Sequence, residues 1–147
     1  MPKEYPKRIA ILLPSLKFGG AERVALNLGR TLSEISINVD FLLMSAEGDF
    51  LSEASLYGRV VDLNCKCTRQ LPFVLIKYFF SYRPYAIISS FWKLNLSACI
   101  ARTFFPPVKL LLWEHSPPSK VTFIPNWLYF LSSSIFYRFS NRIIAVS

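Results

Sequence analysis

Short apolar runs alternate along the chain with longer segments in which apolar residues recur every three or four positions. Residues 8–13 (Arg-Ile-Ala-Ile-Leu-Leu) form a continuous apolar run that ends at Pro14, which is typical of a strand buried on both faces. After a glycine-containing loop, apolar residues recur at helical spacing, namely Val24, Ala25, Leu28, Leu32 and Ile35. The chain therefore opens with a predicted strand, a turn and a predicted amphipathic helix.

The same alternation continues to the end of the sequence. Further strands are predicted at residues 37–44, 59–63, 85–90, 108–113 and 142–146, and further helices at residues 71–82, 94–105 and 126–139. A polar stretch containing Glu47, Gly48 and Asp49 precedes the third strand. This order predicts an α/β fold, a Rossmann-like doubly wound parallel sheet of about six strands with helices on both faces. Ligands of such sheets bind beyond the carboxyl ends of the strands, so the loops after the first, fourth and fifth strands are the places to search.

Composition places the chain among globular proteins and shows an uneven charge. The 147 residues are 52% hydrophobic and 18% charged, which excludes intrinsic disorder and suits a single domain, residues 1–147. Up to Asp62 there are seven basic and eight acidic residues, a net charge of −1. From Leu63 onward there are ten basic residues and one acidic residue, Glu114, a net charge of +9. The second part is a cation rich in aromatic residues, and this charge suggests an anionic partner.

The lack of a recognisable secretory signal and the pattern of cysteines predict a cytoplasmic location. The apolar run behind the basic start is too short for a secretory signal, and the longest charge-free stretch, residues 121–137, is interrupted by Pro125, Asn126 and three serines. The cysteines, Cys65, Cys67 and Cys99, are odd in number and lack the spacing of a zinc site, so we expect reduced thiols and no metal.

The loop after the first strand contains a pair of glycines, Gly19 and Gly20, directly before the first helix. Glycine permits close approach of a ligand to the backbone, and the free amides at a helix start favour an anion. The pair is not the G-x-G-x-x-G fingerprint of dinucleotide-binding proteins. A tight turn without a ligand therefore remains the alternative interpretation, and the carboxylate of Glu22 has an ordinary role in complementing the helix dipole.

The loop after the fourth strand combines small hydroxyl residues with aromatic ones. Ser90 and Trp92 are suited to lining a sugar or nucleotide pocket, although a helix cap and a core aromatic residue would give the same pattern.

The loop after the fifth strand holds Glu114 and the single histidine, His115. A carboxylate and an imidazole at a strand end are suited to proton transfer or to contact with an oxyanion. Neighbouring strand residues point to opposite faces, however, so we expect only one of the two to reach a given substrate atom.

These features occur in an order that resembles glycosyltransferase family 4. The resemblance rests on the strand at residues 9–13, the segment Gly-Gly-Ala-Glu-Arg-Val-Ala-Leu-Asn-Leu at residues 19–28, the pair Glu114-His115, and the closing segment at residues 140–147. It extends over nearly the whole chain, and the segment at residues 19–28 is its most specific part.

The resemblance implies a function and a set of site residues. Members of the family have two Rossmann-like domains, the GT-B architecture, with the active site between them, and this chain is similar to the N-terminal, acceptor-side domain. They transfer a sugar with retention from a nucleotide-sugar donor, here to a glycan or a lipid-linked acceptor, and need no metal or other cofactor. By this resemblance His115, and less so Glu114, faces the cleft. The residues expected to bind substrate or donor phosphate are Gly19, Gly20, Glu22, Arg23, Ser90 and Trp92, with Glu22 and Arg23 also holding the helix behind the turn.

The donor-binding half of the family, with its paired glutamates E-x7-E, would follow residue 147. We therefore expect the chain to be inactive alone and to require that missing domain, either in a longer polypeptide or in a partner chain. Sugar transfer by the purified 147-residue chain would contradict this expectation. The alternative is a non-catalytic remnant or a binding subunit.

The segment at residues 69–83 predicts contact with an anionic membrane surface, because basic residues flank an aromatic helix. The residues expected to make this contact are Arg69, Lys77, Tyr78, Phe79 and Arg83. The chain would then be peripheral on the inner face of the membrane; a helix packed between the sheet and a neighbouring element is the open alternative. A nucleic-acid-binding module is less favoured, since no RNP, KH or helix-turn-helix pattern is present.

Overall fold

The structure, a computed structural model, describes residues 7–114, 127, 131–132, 134–135 and 137–145. The strands are β1 Arg8–Leu13, β2 Asn38–Leu43, β3 Arg59–Asp62, β4 Ala86–Ser90, β5 Lys109–Glu114 and β6 Arg142–Ala145. The helices are α1 Gly20–Glu34, α2 Leu51–Tyr57, α3 Leu71–Tyr82 and α4 Trp92–Phe104, followed by a 3₁₀ helix, Tyr137–Phe139. The strands form one parallel sheet in the order β3-β2-β1-β4-β5-β6, which confirms the predicted α/β, Rossmann-like fold.

The two faces of the sheet are covered by different helices. On β1, Ala10 and Leu12 belong to a buried cluster with residues of α3 and α4. Ile11 and Leu13 alternate with them and belong to a second cluster with residues of α1 and α2. Because both sets of side chains are fully buried, residues 10–13 are all apolar, which explains why the first strand showed a continuous run rather than an alternating pattern.

Local sequence explains where α3 begins and ends. Pro72 stands in the first turn of α3, where its missing amide hydrogen has no helical partner to lose. Arg83 ends the helix in the left-handed conformation, and Pro84 follows it. The predicted bounds of this helix, residues 71–82, are confirmed.

Helix α2 was not predicted, because the stretch around Glu47-Gly48-Asp49 appeared only as polar. Its seven residues are too few to show helical periodicity, and Ala54 is its only fully buried residue. In the predicted helix 126–139, the described positions 127, 131, 132, 134 and 135 are helical, and the other positions up to residue 136 lie outside the described residues.

Candidate functional site

The strand order reverses between β1 and β4, and in parallel sheets this switch point is where a ligand crevice forms, beyond the carboxyl ends of both strands. Leu12 pairs with Ser89, so β1 and β4 end side by side at Leu13 and Ser90. We refer to the region bounded by residues 14–20 and residues 90–92 as the carboxyl-edge crevice. It brings together two of the three loops in which the sequence predicted site residues.

The glycine turn lies at the start of α1. Gly19 is the residue before the helix and has extended backbone, and no side chain caps the amides of the first turn. A Cβ atom on Gly19 would lie 2.1 Å from a carboxylate oxygen of Glu22, so this carboxylate folds back over the turn. Gly20 differs, because a Cβ atom there would meet nothing within 4 Å. The open space of the turn is therefore above Gly20, while Glu22 covers Gly19.

Arg23 is held away from the turn by α2. Its Nη1 atom donates to both carboxylate oxygens of Glu53 at 2.8 and 2.9 Å, and its guanidinium lies 4.2 Å from the centre of the Phe50 ring. Phe18 packs edge-on against the same ring at 4.8 Å. In this arrangement Arg23 joins α1 to α2 through its contacts with Glu53 and Phe50.

A second loop, between β2 and α2, braces the turn from behind. The amide of Leu16 donates to the carbonyl of Glu47 at 2.8 Å, and the amide of Phe50 donates to the carbonyl of Leu16 at 3.1 Å. Lys17 pairs with the Glu47 carboxylate at 3.0 Å, and hydrogen bonds from Lys17 and Ser45 lower the pKa of that carboxyl group. The sequence did not single out this loop. Its only signal was a glycine, Gly48, within a polar stretch.

The β4–α4 loop contributes a buried hydroxyl and a strained backbone. Ser90 is fully buried, and its hydroxyl has no hydrogen-bond partner among the described residues. The next residue, Phe91, has a φ of 74°, a left-handed value that costs a non-glycine residue about 1–3 kcal/mol. Trp92 follows as the first residue of α4 and is half-buried. Ser90 and Trp92 thus belong to the loop at the end of β4, as the glycine turn belongs to the loop at the end of β1.

The two predicted catalytic residues, Glu114 and His115, are only partly described. The backbone of Glu114 ends β5 and pairs with Ala145 of β6, which places it at the same edge of the sheet as Ser90. The side chain of Glu114 and all of His115 lie outside the described residues.

No metal centre emerges in the part of the chain that the structure describes, where no three His, Cys, Asp or Glu side chains group together. Cys65, Cys67 and Cys99 are free thiols, and burial raises the pKa of Cys65 and raises the pKa of Cys99 to about 12.

The placement of two predicted membrane-contact residues was wrong. Tyr78 and Phe79 are buried against the sheet, and the hydroxyl of Tyr78 donates to the carboxylate of Asp40 at 2.5 Å. Arg69, Lys77 and Arg83 are exposed, as contact with a membrane would require. The burial of Tyr78 and Phe79 could not be predicted from the sequence. Helix α3 is apolar on nearly every side, so periodicity did not separate its buried face from its exposed one. Among the described helices, none is long and apolar enough to cross a bilayer.

Several solved structures share this arrangement of strands and helices. A glycosyltransferase from Rickettsia africae ESF-5 aligns with a TM-score of 0.76 at 18% identity, over 97% of this chain and 37% of that one. Sucrose-phosphate synthase from Thermosynechococcus elongatus aligns with a TM-score of 0.70 at 15% identity, over 96% of this chain and 42% of that one. MurG from Acinetobacter baumannii aligns with a TM-score of 0.67 at 10% identity, over 97% and 42%.

These likenesses establish the fold. No protein-family model and no curated protein sequence matches the chain. The chain spans about two fifths of the length of the three aligned structures, so it corresponds to one part of each of them.

Proposed function

We propose that this chain is the acceptor-side domain of a retaining glycosyltransferase, which transfers a sugar from a nucleotide-sugar donor to a glycan or lipid-linked acceptor. The observation that carries the proposal is the open turn at Gly20, at the uncapped start of the helix that follows β1 and next to the switch point between β1 and β4. Amides at a helix start bind phosphate oxygens, and the switch point of a parallel sheet is where ligands bind. The three aligned structures, a glycosyltransferase among them, support the choice of reaction class.

The residues of the crevice take distinct roles in this proposal. The amides of Gly20 and its helical neighbours approach the donor phosphates or the acceptor, and the carboxylate of Glu22 moves aside when an anion enters. Ser90 lies beneath the ligand at the end of β4, and Trp92 forms an apolar wall. His115 is the proposed cleft residue of the β5 loop, with Glu114 beside it. Catalysis then depends on stabilising the leaving phosphate and positioning the acceptor hydroxyl, without a metal.

Transfer requires a donor-binding half in addition to this domain. The proposed partner is the second domain of the same enzyme, in one polypeptide or in another chain. The purified 147-residue chain is therefore expected to bind substrate weakly and to transfer no sugar.

Filling the space above Gly20 tests the proposal without disturbing the fold. The Gly20→Val variant is expected to weaken nucleotide-sugar binding by about tenfold or more, equivalent to 1.4 kcal/mol, because the side chain occupies the space that the phosphate needs. Valine has a higher helix propensity than glycine, so the melting temperature should not fall. Binding is measured by saturation-transfer NMR with a panel of UDP-, GDP- and ADP-linked sugars.

Gly20→Ala is the matched control, since its single methyl group should weaken binding less than valine does. Equal binding by all three proteins would contradict the assignment of this turn.

A membrane surface remains the proposed location of the acceptor, with a corrected set of contact residues. Phe73, Lys77 and Phe80 follow one another at helical spacing on the exposed face of α3, and Phe73 is 75% exposed. They join Arg69 and Arg83 in the proposed contact with anionic lipid, in place of the buried Tyr78 and Phe79.

Binding to phosphatidylglycerol vesicles should reveal this surface. We expect Phe73→Ser to weaken binding by about tenfold through lost apolar contact, and Lys77→Gln by about fivefold through one lost charge. Arg30→Ala, on the exposed face of α1, is the control and should bind as the wild type does. Cosedimentation that is equal for neutral and anionic vesicles, and insensitive to salt, would contradict the proposal.

A further inference from the structure

A large groove lies at the edge of the sheet opposite to the carboxyl-edge crevice. It has a volume of about 950 Å³ and is lined by residues at the starts of β1 and β2, at the end of α3, before β4 and after α4. Its principal lining residues are Lys7, Arg8, Tyr82, Arg83, Tyr85 and Phe105. We call it the amino-edge groove. Its volume is in the range of sites that take a drug-sized or nucleotide-sized molecule.

The charge of the groove is strongly positive and largely uncompensated. Within the described part of the chain, no carboxylate lies within ion-pair distance of the lining residues Lys7 and Arg83, or of Lys109, which lies next to the groove against Tyr85. Lys109 instead donates to the hydroxyl of Tyr85 at 2.6 Å, and this hydrogen bond lowers the pKa of Tyr85. A single carboxylate, that of the buried Asp40, serves both Arg8 and Arg59. The groove therefore offers several cations to an anion from outside.

Two tyrosine rings hold these cations in place. The ammonium groups of Lys7 and Lys109 lie 5.3 and 4.4 Å from the centre of the Tyr85 ring. The guanidinium groups of Arg8 and Arg59 lie 5.7 and 4.2 Å from the centre of the Tyr82 ring. Both rings are partly exposed, at 45% for Tyr82 and 42% for Tyr85. Cations held this way have already lost much of their side-chain freedom, which reduces the entropy cost of binding an anion.

The backbone conformation at position 83 does not favour an arginine. It ends α3 with a φ of 44°, a conformation for which glycine or asparagine is the favoured residue. An arginine there strains the backbone, and its exposed side chain lines the groove. Strain of this kind is tolerated where the side chain has a role of its own.

We propose that the amino-edge groove is a second ligand site, which binds the phosphate of a molecule that also has an apolar or ring-shaped part. Lys7 and Arg83 take the phosphate oxygens, with Arg8 fixed behind them by Asp40, and Lys109 adds positive charge from beside the groove. Tyr82, Tyr85 and Phe105 pack against the apolar part. The site is separate from the crevice at Leu13 and Ser90, because it lies at the opposite ends of the same strands. It does not depend on the proposed function of the crevice.

The phosphate can belong to a soluble molecule or to a lipid headgroup, and the experiment has one arm for each. The ¹⁵N-labelled chain is titrated with adenosine diphosphate and, separately, with the short-chain lipid dihexanoyl phosphatidylglycerol. We expect at least one of them to shift the amide signals of Asn38, Ser81, Tyr82, Arg83 and Tyr85. A response to adenosine diphosphate alone identifies a soluble ligand, a response to the lipid alone identifies a headgroup, and either supports the site.

The Arg83→Gly variant separates binding from folding. It removes a cation and also relieves the left-handed backbone, so we expect a melting temperature equal to or above that of the wild type, together with about tenfold weaker binding. Arg30→Ala, which removes a charge from the distant α1, should bind as the wild type does. No shift of these amides with either probe at millimolar concentration, or equal weakening by Arg83→Gly and Arg30→Ala, would overturn the proposal.

Discussion

Replacing Asp40 with asparagine is expected to lower the free energy of unfolding by about 3 kcal/mol. The carboxylate is 1% exposed and accepts hydrogen bonds from Arg8, Arg59 and Tyr78 at 2.5–3.2 Å, so it links β1, β2, β3 and α3. Removing one partner of a buried ion pair costs about 3–5 kcal/mol, and the low end applies because both arginines keep contact with water. For a chain of this size the melting temperature should fall by about 6–12 °C.

The pH dependence of this loss follows from the pKa of Asp40. Burial alone would raise that pKa, but the hydrogen bonds from Arg59, Tyr78 and Arg8 outweigh it and hold the pKa below its usual value of 3.8. A depressed pKa in the folded state stabilises the protein above the unfolded-state pKa, and this contribution is lost as the pH falls through the folded-state pKa. The difference between wild type and Asp40→Asn should therefore be full at pH 7 and shrink below about pH 4.

Tyr78→Phe is the matched control for the Asp40 network. It removes one hydrogen bond and leaves both ion pairs, so we expect a loss of about 1–2 kcal/mol. Thermal and urea unfolding, followed by circular dichroism between pH 3 and pH 7, compares the three proteins. If the difference in the free energy of unfolding between wild type and Asp40→Asn stays constant over this pH range, the ion-pair interpretation is contradicted.

Replacing Gly48 with alanine is expected to cost about 3 kcal/mol or more, since strain and a clash combine at one position. Gly48 has a φ of 122°, a backbone conformation that residues with a Cβ atom rarely adopt. An alanine Cβ would lie 2.1 Å from the backbone carbonyl of Leu16 and 2.3 Å from the amide nitrogen of Lys17. Backbone atoms cannot rotate away, so the loop that leads to Gly19 and Gly20 has to move.

This prediction connects stability with the candidate site. We expect Gly48→Ala to lower the melting temperature by about 6–12 °C and also to weaken nucleotide-sugar binding, because the displaced loop carries the glycine turn. Gly20→Ala adds the same methyl group at an open position and should leave the melting temperature unchanged or higher. A Gly48→Ala protein that melts within about 2 °C of the wild type would show that the brace behind the turn is unimportant.

The sequence was sufficient for the fold because hydrophobic periodicity and prolines mark strands and helices locally. Residues 8–13 and 71–82 were predicted with the bounds that the structure has. What the sequence could not supply was contact between distant segments. Asp40 meets Arg8 across 32 positions and Arg59 across 19, and only the parallel register of three strands brings them together.

The candidate site shows the same division. The glycine turn could be predicted because glycines that follow a strand and precede a helix are typical of a tight turn. Ser90 could be predicted because it ends the fourth strand. The brace at Gly48 was not visible, since its importance comes from the backbone of Leu16, far along the chain. The role of Arg23 in joining α1 to α2 likewise needed Glu53, in a helix that periodicity did not reveal.

The most direct test of the central claim is to map where a nucleotide sugar binds, residue by residue. The ¹⁵N-labelled chain is titrated with the nucleotide sugar that binds best in the panel, and amide shifts are followed at both edges of the sheet. We expect the amides of Gly19, Gly20 and Ala21 to shift together with those of Ser90 and Trp92, at one shared affinity, and to stop responding in Gly20→Val. Shifts confined to other parts of the chain, the amino-edge groove included, would contradict the assignment of the carboxyl-edge crevice as the substrate site.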